Sequence, residues 1–386
     1  MMQTTSNNDN NHNEVFRSLL ASLESTTTTT TTSSSSSSPL HWTVPEWKDR
    51  SIQYLESHHP DVLEPDASVH QLLAHALELD WQTGFRQVCN DEYPLGERTI
   101  TIAEQQRYLS CIQRRIQHEP LQYILGQWDF LDDVFVIRPP LLCPRPETEE
   151  LVLMVEQDVR SSLVSHKSRV DVNDDSLGST GAIRILDIGC GTGCIGISLL
   201  RRLGTGSTAN RDVRVIAIDI DPVAVDTSNE NADRILGTND NTSDGRYQAI
   251  LSSAAEYGYK GEGYYDGNYD ADDGNDSGGV GVFDVIVSNP PYIPADAEQD
   301  MDPTVLEYES PQALFGGGKD GLDVIRTIVD RLPEWSSGSG SVCWMEVDPS
   351  QPALIEAMVK DYASVVYEST HQDLYGRDRF VKLRVM

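Results

Sequence analysis

The sequence predicts an α/β protein in which a doubly wound, Rossmann-like sheet follows a small all-helical N-terminal domain. Beyond about Leu151, apolar runs of strand length alternate with helical stretches. Before about Gln117, apolar residues recur instead at helical spacing. A glycine-rich turn after the first long apolar run is typical of sheets that bind ligands at their carboxyl edge. These observations together predict two domains of different class.

Residues 1–44 are predicted to form a disordered tail. They are rich in Asn and then continue as Thr and Ser homopolymers at 26–32 and 33–38, which offer little apolar surface to bury. Import signals are rich in Arg and poor in acids, whereas Arg17 is the only basic residue of this tail, beside three acidic residues. The composition of the tail therefore departs from that of a typical import signal, and import stays an open alternative.

Residues 45–120 are predicted to form the helical domain, with a recognition or packing role. A linker with a hairpin follows at 121–150. Residues 151–386 are predicted to carry the sheet, and two segments rich in Gly, Ser, Asp and Asn, 165–180 and 257–280, are predicted surface insertions. Its strands are expected at 183–188, 213–218, 283–287, 341–347 and 380–385.

Composition restricts the class of protein. The 386 residues carry a formal charge of −32, which disfavours direct binding to nucleic-acid phosphates and favours a protein partner. We expect a soluble, intracellular protein with no membrane partner, because no apolar run is long enough to span a bilayer. The six cysteines lack metal-ligand spacing, so we predict reduced thiols and no metal site.

The segment 185–196 predicts a nucleotide-type cofactor site. Glycine lets backbone amides approach a ligand, and the helix N-terminus behind the turn favours negative charge. Asp219 ends the next strand, where a carboxylate accepts hydrogen bonds from ribose hydroxyls, whereas Asp221 is predicted to cap the following helix. These residues leave nicotinamide and S-adenosylmethionine both open. The predicted cofactor-binding residues are Asp187, Gly189, Cys190, Gly191, Thr192, Gly193 and Asp219.

The loop after the strand at 283–287 predicts the substrate site. It contains Asn289, Pro290, Pro291 and Tyr292, and the two prolines make it rigid. The Asn289 amide and the Pro290 carbonyl can accept hydrogen bonds from a substrate NH2 group, and Tyr292 can stack on a planar group. We therefore predict catalytic roles for Asn289, Pro290 and Tyr292 and substrate contacts for all four residues. This loop favours S-adenosylmethionine and transfer of its methyl group to an amide or amino nitrogen.

With these motifs, most of the chain after the tail resembles the HemK/PrmC glutamine methyltransferases, which are class I S-adenosylmethionine-dependent enzymes. The resemblance implies methylation of the glutamine in the Gly-Gly-Gln motif of a peptide chain release factor. It also implies the cofactor loop at Gly189–Gly193, the ribose carboxylate at Asp219 and the substrate loop at 289–292. Further blocks that resemble the family lie at 119–126, 143–152, 314–322, 345–351 and 373–381.

Several alternatives stay open. A related enzyme could methylate glutamine in a ribosomal protein, an amino-group enzyme could methylate adenine in nucleic acid, and a binding module could lack turnover. The segment 251–256 leaves the adenine contacts unassigned. Arg145, Glu147 and Glu149 either brace the rim of the site or contact the substrate. Family members with a helical N-terminal domain are bacterial or organellar, which favours a mitochondrion or another organelle over the cytosol.

Overall fold

The computed structural model describes residues 41–92, 94–167, 182–205, 212–237, 245–258, 283–297, 301, 303–338 and 340–386. The chain divides into two compact units between Gly126 and Gln127. Residues 1–40 of the predicted tail, 168–180 of the first insertion and 259–280 of the second lie outside the described residues. The first unit ends six residues beyond the boundary expected at 120, because a short helix at Leu121–Leu125 belongs to it.

The first unit is helical, and side-chain caps set where its two longest helices begin. Thr43 and Glu46 form a capping box at the start of the first, so this helix begins at Val44 within the segment expected to be tail. Thr101 and Glu104 form a second capping box, at the start of the helix Ile102–Ile116. The helices are α1 Val44–His58, α2 Pro65–Ala76, α3 Trp81–Cys89, α4 Ile102–Ile116 and α5 Leu121–Leu125, with a short 3-10 helix at Leu95–Glu97.

The core of this unit contains the periodic apolar residues of α2 and the aromatic side chains of α1 and α4. Val69, Leu72 and Leu73 are fully buried. Trp47 meets Tyr108 edge to face, with ring centroids 5.9 Å apart. Ile102 belongs to the apolar residues that recur at helical spacing, but it is 55% exposed because it occupies the first position of α4.

The second unit opens with an antiparallel hairpin, β1 Gln127–Phe130 and β2 Asp133–Val136, and continues as a seven-stranded sheet. The sheet order is β5-β4-β3-β6-β7-β9-β8, in which β3 to β7 run parallel and β9 is antiparallel to both neighbours. The predicted doubly wound fold is confirmed. The strands are β3 Ile183–Ile188, β4 Val213–Asp219, β5 Tyr247–Leu251, β6 Val285–Ser288, β7 Val342–Glu346, β8 Val365–Gln372 and β9 Asp378–Val385.

Helices follow the parallel strands and cover the sheet. The side chains of Ile325, Ile328 and Trp335 pack with strand residues such as Ile286 and Met345 in one buried apolar cluster. Across the described residues, no helix is long and apolar enough to cross a membrane. The helices of this unit are α6 Pro146–Lys167, α7 Cys194–Leu203, α8 Pro222–Leu236, α9 Pro303–Tyr308, α10 Pro311–Leu314, α11 Asp323–Trp335 and α12 Pro352–Val359.

Strands β5 and β8 were not expected from the sequence. Strand β8 alternates buried and exposed residues at the sheet edge, so it lacks the continuous apolar run that marks a central parallel strand. Strand β6 begins at Val285 rather than at Phe283, which pairs instead with Ser336 in an isolated bridge. Successive parallel strands from β3 to β5 are added on one side of β3, whereas β6 and β7 are added on its other side, so the order of the strands switches between β3 and β6. In open α/β sheets such a switch point is where ligands bind, beyond the carboxyl ends of the strands.

Candidate active site at the switch point

Two loops leave the sheet side by side at the switch point. Ile188 at the end of β3 pairs with Ser288 at the end of β6. The Ser288 hydroxyl donates a 2.7 Å hydrogen bond to the Ile188 carbonyl, which ties the two strand ends together. The glycine loop and the Asn289 loop therefore begin next to each other.

The glycine loop exposes backbone at two positions and packs tightly at a third. Gly189, Gly191 and Gly193 all have positive φ, which favours glycine. A Cβ on Gly189 or Gly191 would have no atom within 4 Å, whereas one on Gly193 would meet the Ser228 hydroxyl at 2.4 Å. The loop therefore presents open backbone at Gly189 and Gly191, while Gly193 caps α7 against α8.

Asp219 ends β4 beside this loop. One carboxylate oxygen accepts a hydrogen bond from the Gly191 amide and the other accepts one from the Asp221 amide, both at 2.9 Å. Burial raises the pKa of Asp219, and the two amide donors oppose that rise. Asp221 accepts from the Val223 amide and is the N-cap of α8, as predicted. Each Asp219 oxygen keeps a second lone pair for a ligand hydroxyl.

Asp187 lies fully buried beneath the loop. One of its carboxylate oxygens accepts a 2.9 Å hydrogen bond from the Gly196 amide, and the other has no hydrogen-bond partner among the described residues. Burial raises the pKa of Asp187 to about 7. A Cβ on Gly196 would lie 2.9 Å from the Asp187 carboxylate, so glycine is needed for this approach.

Cys190 and Thr192, also predicted in the cofactor site, are both buried. Burial raises the pKa of the Cys190 thiol well above its usual value, so it stays protonated. The Thr192 carbonyl accepts from the Asn231 side-chain nitrogen Nδ2 at 2.9 Å. All six cysteines lie in the described part of the chain and are free thiols. In that part, no group of three or more His, Cys, Asp or Glu side chains is arranged to hold a metal ion.

The loop after β6 is held by a second glycine-rich segment. Backbone hydrogen bonds join Ile293 to Leu314 and Gly316. A Cβ on Gly316 would lie 2.5 Å from the Pro291 carbonyl, and one on Gly321 would lie 2.1 Å from the Tyr292 carbonyl. Only glycine permits this close packing, which accounts for Gly316 and Gly321 in the block at 314–322.

The Asn289 side chain is half-buried, and its amide nitrogen donates to the Thr148 hydroxyl at 3.0 Å. Pro290 is buried beside it. The Thr148 hydroxyl in turn donates to Glu346 at 2.8 Å. Tyr292 is partly buried, and its hydroxyl lies 3.4 Å from the other Glu346 oxygen. Thr148 and Glu346 were missed as individual residues, although both lie in blocks that resemble the family.

The rim residues left open by the sequence are engaged in two ion pairs and one hydrogen bond to the backbone. Arg145 binds both carboxylate oxygens of Glu309, at 2.8 and 2.9 Å. Glu147 pairs with Arg377 at 3.1 Å. Glu149 accepts from the Leu131 amide at 3.0 Å. These contacts favour a bracing role for the three residues.

Two exposed apolar side chains lie at the strand ends next to Asp219. Ile220, which follows Asp219, is 52% exposed. Leu251, at the end of β5, pairs in register with Asp219 and is 57% exposed. Exposed apolar groups beside a carboxylate can pack against a flat ring whose sugar that carboxylate binds. The sequence alone did not indicate this pair, because neither residue belongs to a motif.

Comparison with known proteins identifies relatives of both units. Residues 46–126 match the family model described as the PrmC N-terminal domain. The MTRF1L release factor glutamine methyltransferase of Homo sapiens is 34% identical over 284 residues, which cover 72% of this chain and 71% of that protein. The release factor glutamine methyltransferase of Leptospira interrogans is 30% identical over 291 residues, covering 74% and 82%. Among solved structures, a ribosomal protein L11 methylase from Lactobacillus delbrueckii has a TM-score of 0.37 and 14% identity, covering 65% of this chain and 84% of that one.

Proposed function

This chain belongs to the release factor glutamine methyltransferases, and on that premise we propose that it methylates the side-chain amide nitrogen of the glutamine in a release factor's Gly-Gly-Gln motif. The observation that carries the proposal is the pairing of Ile188 with Ser288, since it brings the cofactor loop and the Asn289 loop together. A methyl donor and a substrate nitrogen held by these loops would be neighbours.

The residues around the glycine loop fit S-adenosylmethionine. The open backbone at Gly189 and Gly191 allows a ligand to approach closely. Asp219 retains lone pairs for ribose hydroxyls, and Ile220 and Leu251 offer apolar surface for the adenine ring. When bound, S-adenosylmethionine supplies a sulfonium methyl group, whose bond to sulfur breaks as its bond to the amide nitrogen forms. We propose these five residues as its contacts, with Asp187 supporting the loop from beneath.

Asn289 and Pro290 are proposed to orient the substrate amide. With its own nitrogen bonded to Thr148, the Asn289 side chain can offer its carbonyl oxygen to one substrate N–H, and the Pro290 carbonyl can accept the other. This arrangement aims the lone pair of the substrate nitrogen at the methyl group of the cofactor. The ring of Tyr292, in the same loop, can stack on the plane of the substrate amide. A delocalised amide nitrogen is a poor nucleophile, so this positioning carries most of the acceleration. The electron pair of the broken bond stays on sulfur, which leaves S-adenosylhomocysteine, and one substrate N–H proton passes to solvent after the transfer.

The helical unit is proposed to recognise the release factor as a folded protein. Its match to the PrmC N-terminal domain supports that role, because this domain accompanies the catalytic domain in the family. The chain's charge of −32 supports a protein substrate over nucleic acid. We propose that nucleic acid is not bound directly.

The experiment that tests the proposal is incubation of the full chain with S-adenosylmethionine carrying a labelled methyl group and with purified release factors. Mass spectrometry of the Gly-Gly-Gln peptide is expected to find one labelled methyl group on the glutamine side chain. A release factor with glutamate at this position is the matched control and should stay unlabelled. Label on a ribosomal protein or on adenine in bare nucleic acid, without label on the release factor, would contradict the proposal.

We also propose that the protein acts in the mitochondrion or another organelle. The support is the resemblance to a family whose members with a helical N-terminal domain are bacterial or organellar. A fluorescent tag at the C-terminus, read against organelle markers, tests this location. A uniformly cytosolic signal would contradict it.

A further inference from the structure

A buried chain of hydrogen bonds runs behind the substrate loop and joins three distant parts of the sequence. The Asn289 amide nitrogen donates to the Thr148 hydroxyl at 3.0 Å, and that hydroxyl donates to Glu346 at 2.8 Å. Thr148 lies in the first turn of α6, and Glu346 is the last residue of β7. Tyr292 of the same loop contacts the second Glu346 oxygen at 3.4 Å. Glu346 is therefore connected to the substrate loop at two residues. It reaches Asn289 through Thr148 and contacts Tyr292 directly.

Water has little access to the Thr148 and Glu346 side chains of this hydrogen-bond chain. Thr148 is 3% exposed and Glu346 is 1% exposed. Hydrogen bonds in such a setting are stronger than in water, and leaving one of their groups unpaired costs more. The arrangement is therefore expected to persist in the protein rather than exchange with solvent.

The protons available in this chain of hydrogen bonds determine which way the Asn289 side-chain amide faces. An ionised Glu346 can only accept, so the single hydroxyl proton of Thr148 goes to Glu346. The Thr148 oxygen can then only accept from Asn289, which must turn its NH2 group inward. Its carbonyl oxygen consequently faces away from Thr148, with no hydrogen-bond partner among the described residues. This is the orientation that an incoming substrate NH2 requires.

We propose that Thr148 and Glu346 are positioning residues that hold Asn289 as an acceptor and thereby make the site select an amide over a carboxylate. The inference rests on the proposed function and deepens it. Were Asn289 to flip, it would present its NH2 group, which matches the carboxylate of glutamate rather than the amide of glutamine. Neither Thr148 nor Glu346 needs to touch the substrate for this selection.

The protonation state of Glu346 determines the direction of the hydrogen bonds that join it to Thr148 and Asn289. The groups that face its carboxylate are Arg379 of β9, Glu147 and Thr148 of α6, and Tyr292. Burial outweighs the favourable Arg379 charge and raises the pKa of Glu346 to about 7. A protonated Glu346 can donate to Thr148, whose own proton is then free for the Asn289 carbonyl oxygen. The acceptor orientation is thus secured above this pKa and weakened below it.

Three variants test the inference in the full chain. Thr148→Val keeps the shape of the side chain and removes its hydroxyl, and we expect kcat to fall by about tenfold to a hundredfold. Thr148→Ser restores the hydroxyl and should recover most of the rate. Thr227→Val is the matched control, because it removes a hydroxyl from another fully buried threonine, in α8, and should leave the rate unchanged.

The decisive readout is the preference between two short peptides that contain Gly-Gly-Gln or Gly-Gly-Glu. Peptide affinities are measured with S-adenosylhomocysteine bound, because this demethylated product of the cofactor permits no turnover. Thr148→Val is expected to lower the ratio of glutamine to glutamate affinity by about tenfold, while S-adenosylmethionine affinity stays within about twofold of wild type. A merely structural role would weaken both peptides alike and leave their ratio unchanged, and that result would overturn the inference.

The pH dependence gives a second readout that holds even if Thr148→Val fails to fold. Wild-type kcat should fall as the pH drops through about 7. Glu346→Gln can both donate and accept, as the protonated acid does, so its rate should be lower and constant over this range. A Glu346→Gln variant with the wild-type profile would overturn the inference. Failure of wild type to methylate the glutamine peptide and the intact release factor would instead overturn the proposed function, so the two failures are distinguishable.

Discussion

The Asp219 carboxylate accepts a 2.9 Å hydrogen bond from the Gly191 amide and so joins the end of β4 to the glycine loop after β3. Its other oxygen holds the Asp221 amide at the same distance. Asp219 therefore shapes the loop from within the protein, and we propose that its remaining lone pairs accept from the ribose hydroxyls. A change at Asp219 should affect cofactor binding through both effects.

Asp219→Ala is expected to weaken S-adenosylmethionine binding by roughly 1.5–3 kcal/mol, because hydrogen bonds to a charged group are lost. Titration calorimetry on the folded variant measures this change. Asp221→Ala is the matched control, since it removes the α8 N-cap and should cost about 1 kcal/mol of stability with little change in affinity. Unchanged affinity in folded Asp219→Ala would remove this residue from the site.

Asn289→Ala is expected to lower kcat by on the order of a hundredfold or more, since one preorganised contact at the reacting centre is lost. S-adenosylmethionine affinity should stay nearly the same, because the side chain bonds Thr148 of α6 and has no hydrogen bond to the glycine loop among the described residues. Single-turnover assays on a Gly-Gly-Gln peptide measure the rate. Asn229→Ala, which changes an asparagine of α8 bonded to the Ala249 backbone, should keep wild-type turnover. Wild-type turnover by Asn289→Ala would refute the amide-orienting role.

Removal of residues 1–126 is expected to spare cofactor binding and impair methylation of an intact release factor. The cut follows the boundary between the two units, and the glycine loop, Asp219 and Asn289 all lie beyond it. Removal of residues 1–38 alone should leave activity intact, because that segment has little capacity to fold. Rates on the whole factor and on a short peptide separate recognition from chemistry. Equal rates on the whole factor with and without residues 1–126 would refute the recognition role.

Asp187→Asn is expected to change how stability depends on pH. Burial raises the folded-state pKa of Asp187 from 3.8 to about 7, so the folded protein binds an extra proton between these values. Its contribution to the free energy of unfolding is therefore present at low pH and lost as the pH rises through about 7. Asparagine does not titrate, so the Tm of the variant relative to wild type should rise by several °C between about pH 5 and about pH 8. Thermal unfolding of both proteins at each pH measures the difference, and a pH-independent difference would contradict the expectation.

Much of the cofactor side could be predicted from the sequence because its features are local. Three glycines with positive φ follow one strand within five residues, and an acidic residue ends the next strand. The Asn289 loop is local in the same way, since its two prolines and its position after a strand are visible in four consecutive residues. Strand β8 was missed because an edge strand with one exposed face resembles a polar loop in sequence.

The partners of Asn289 are decided by tertiary structure alone. Thr148 lies 141 residues before Asn289, and Glu346 lies 198 residues after Thr148. No periodicity or spacing links residues so far apart. They meet because parallel strands β6 and β7 end at the same edge of the sheet and the first turn of α6 lies against that edge. The amide proposed to bind the substrate is thus encoded locally, whereas the direction proposed for it depends on burial and on proton donors that only the folded chain brings together.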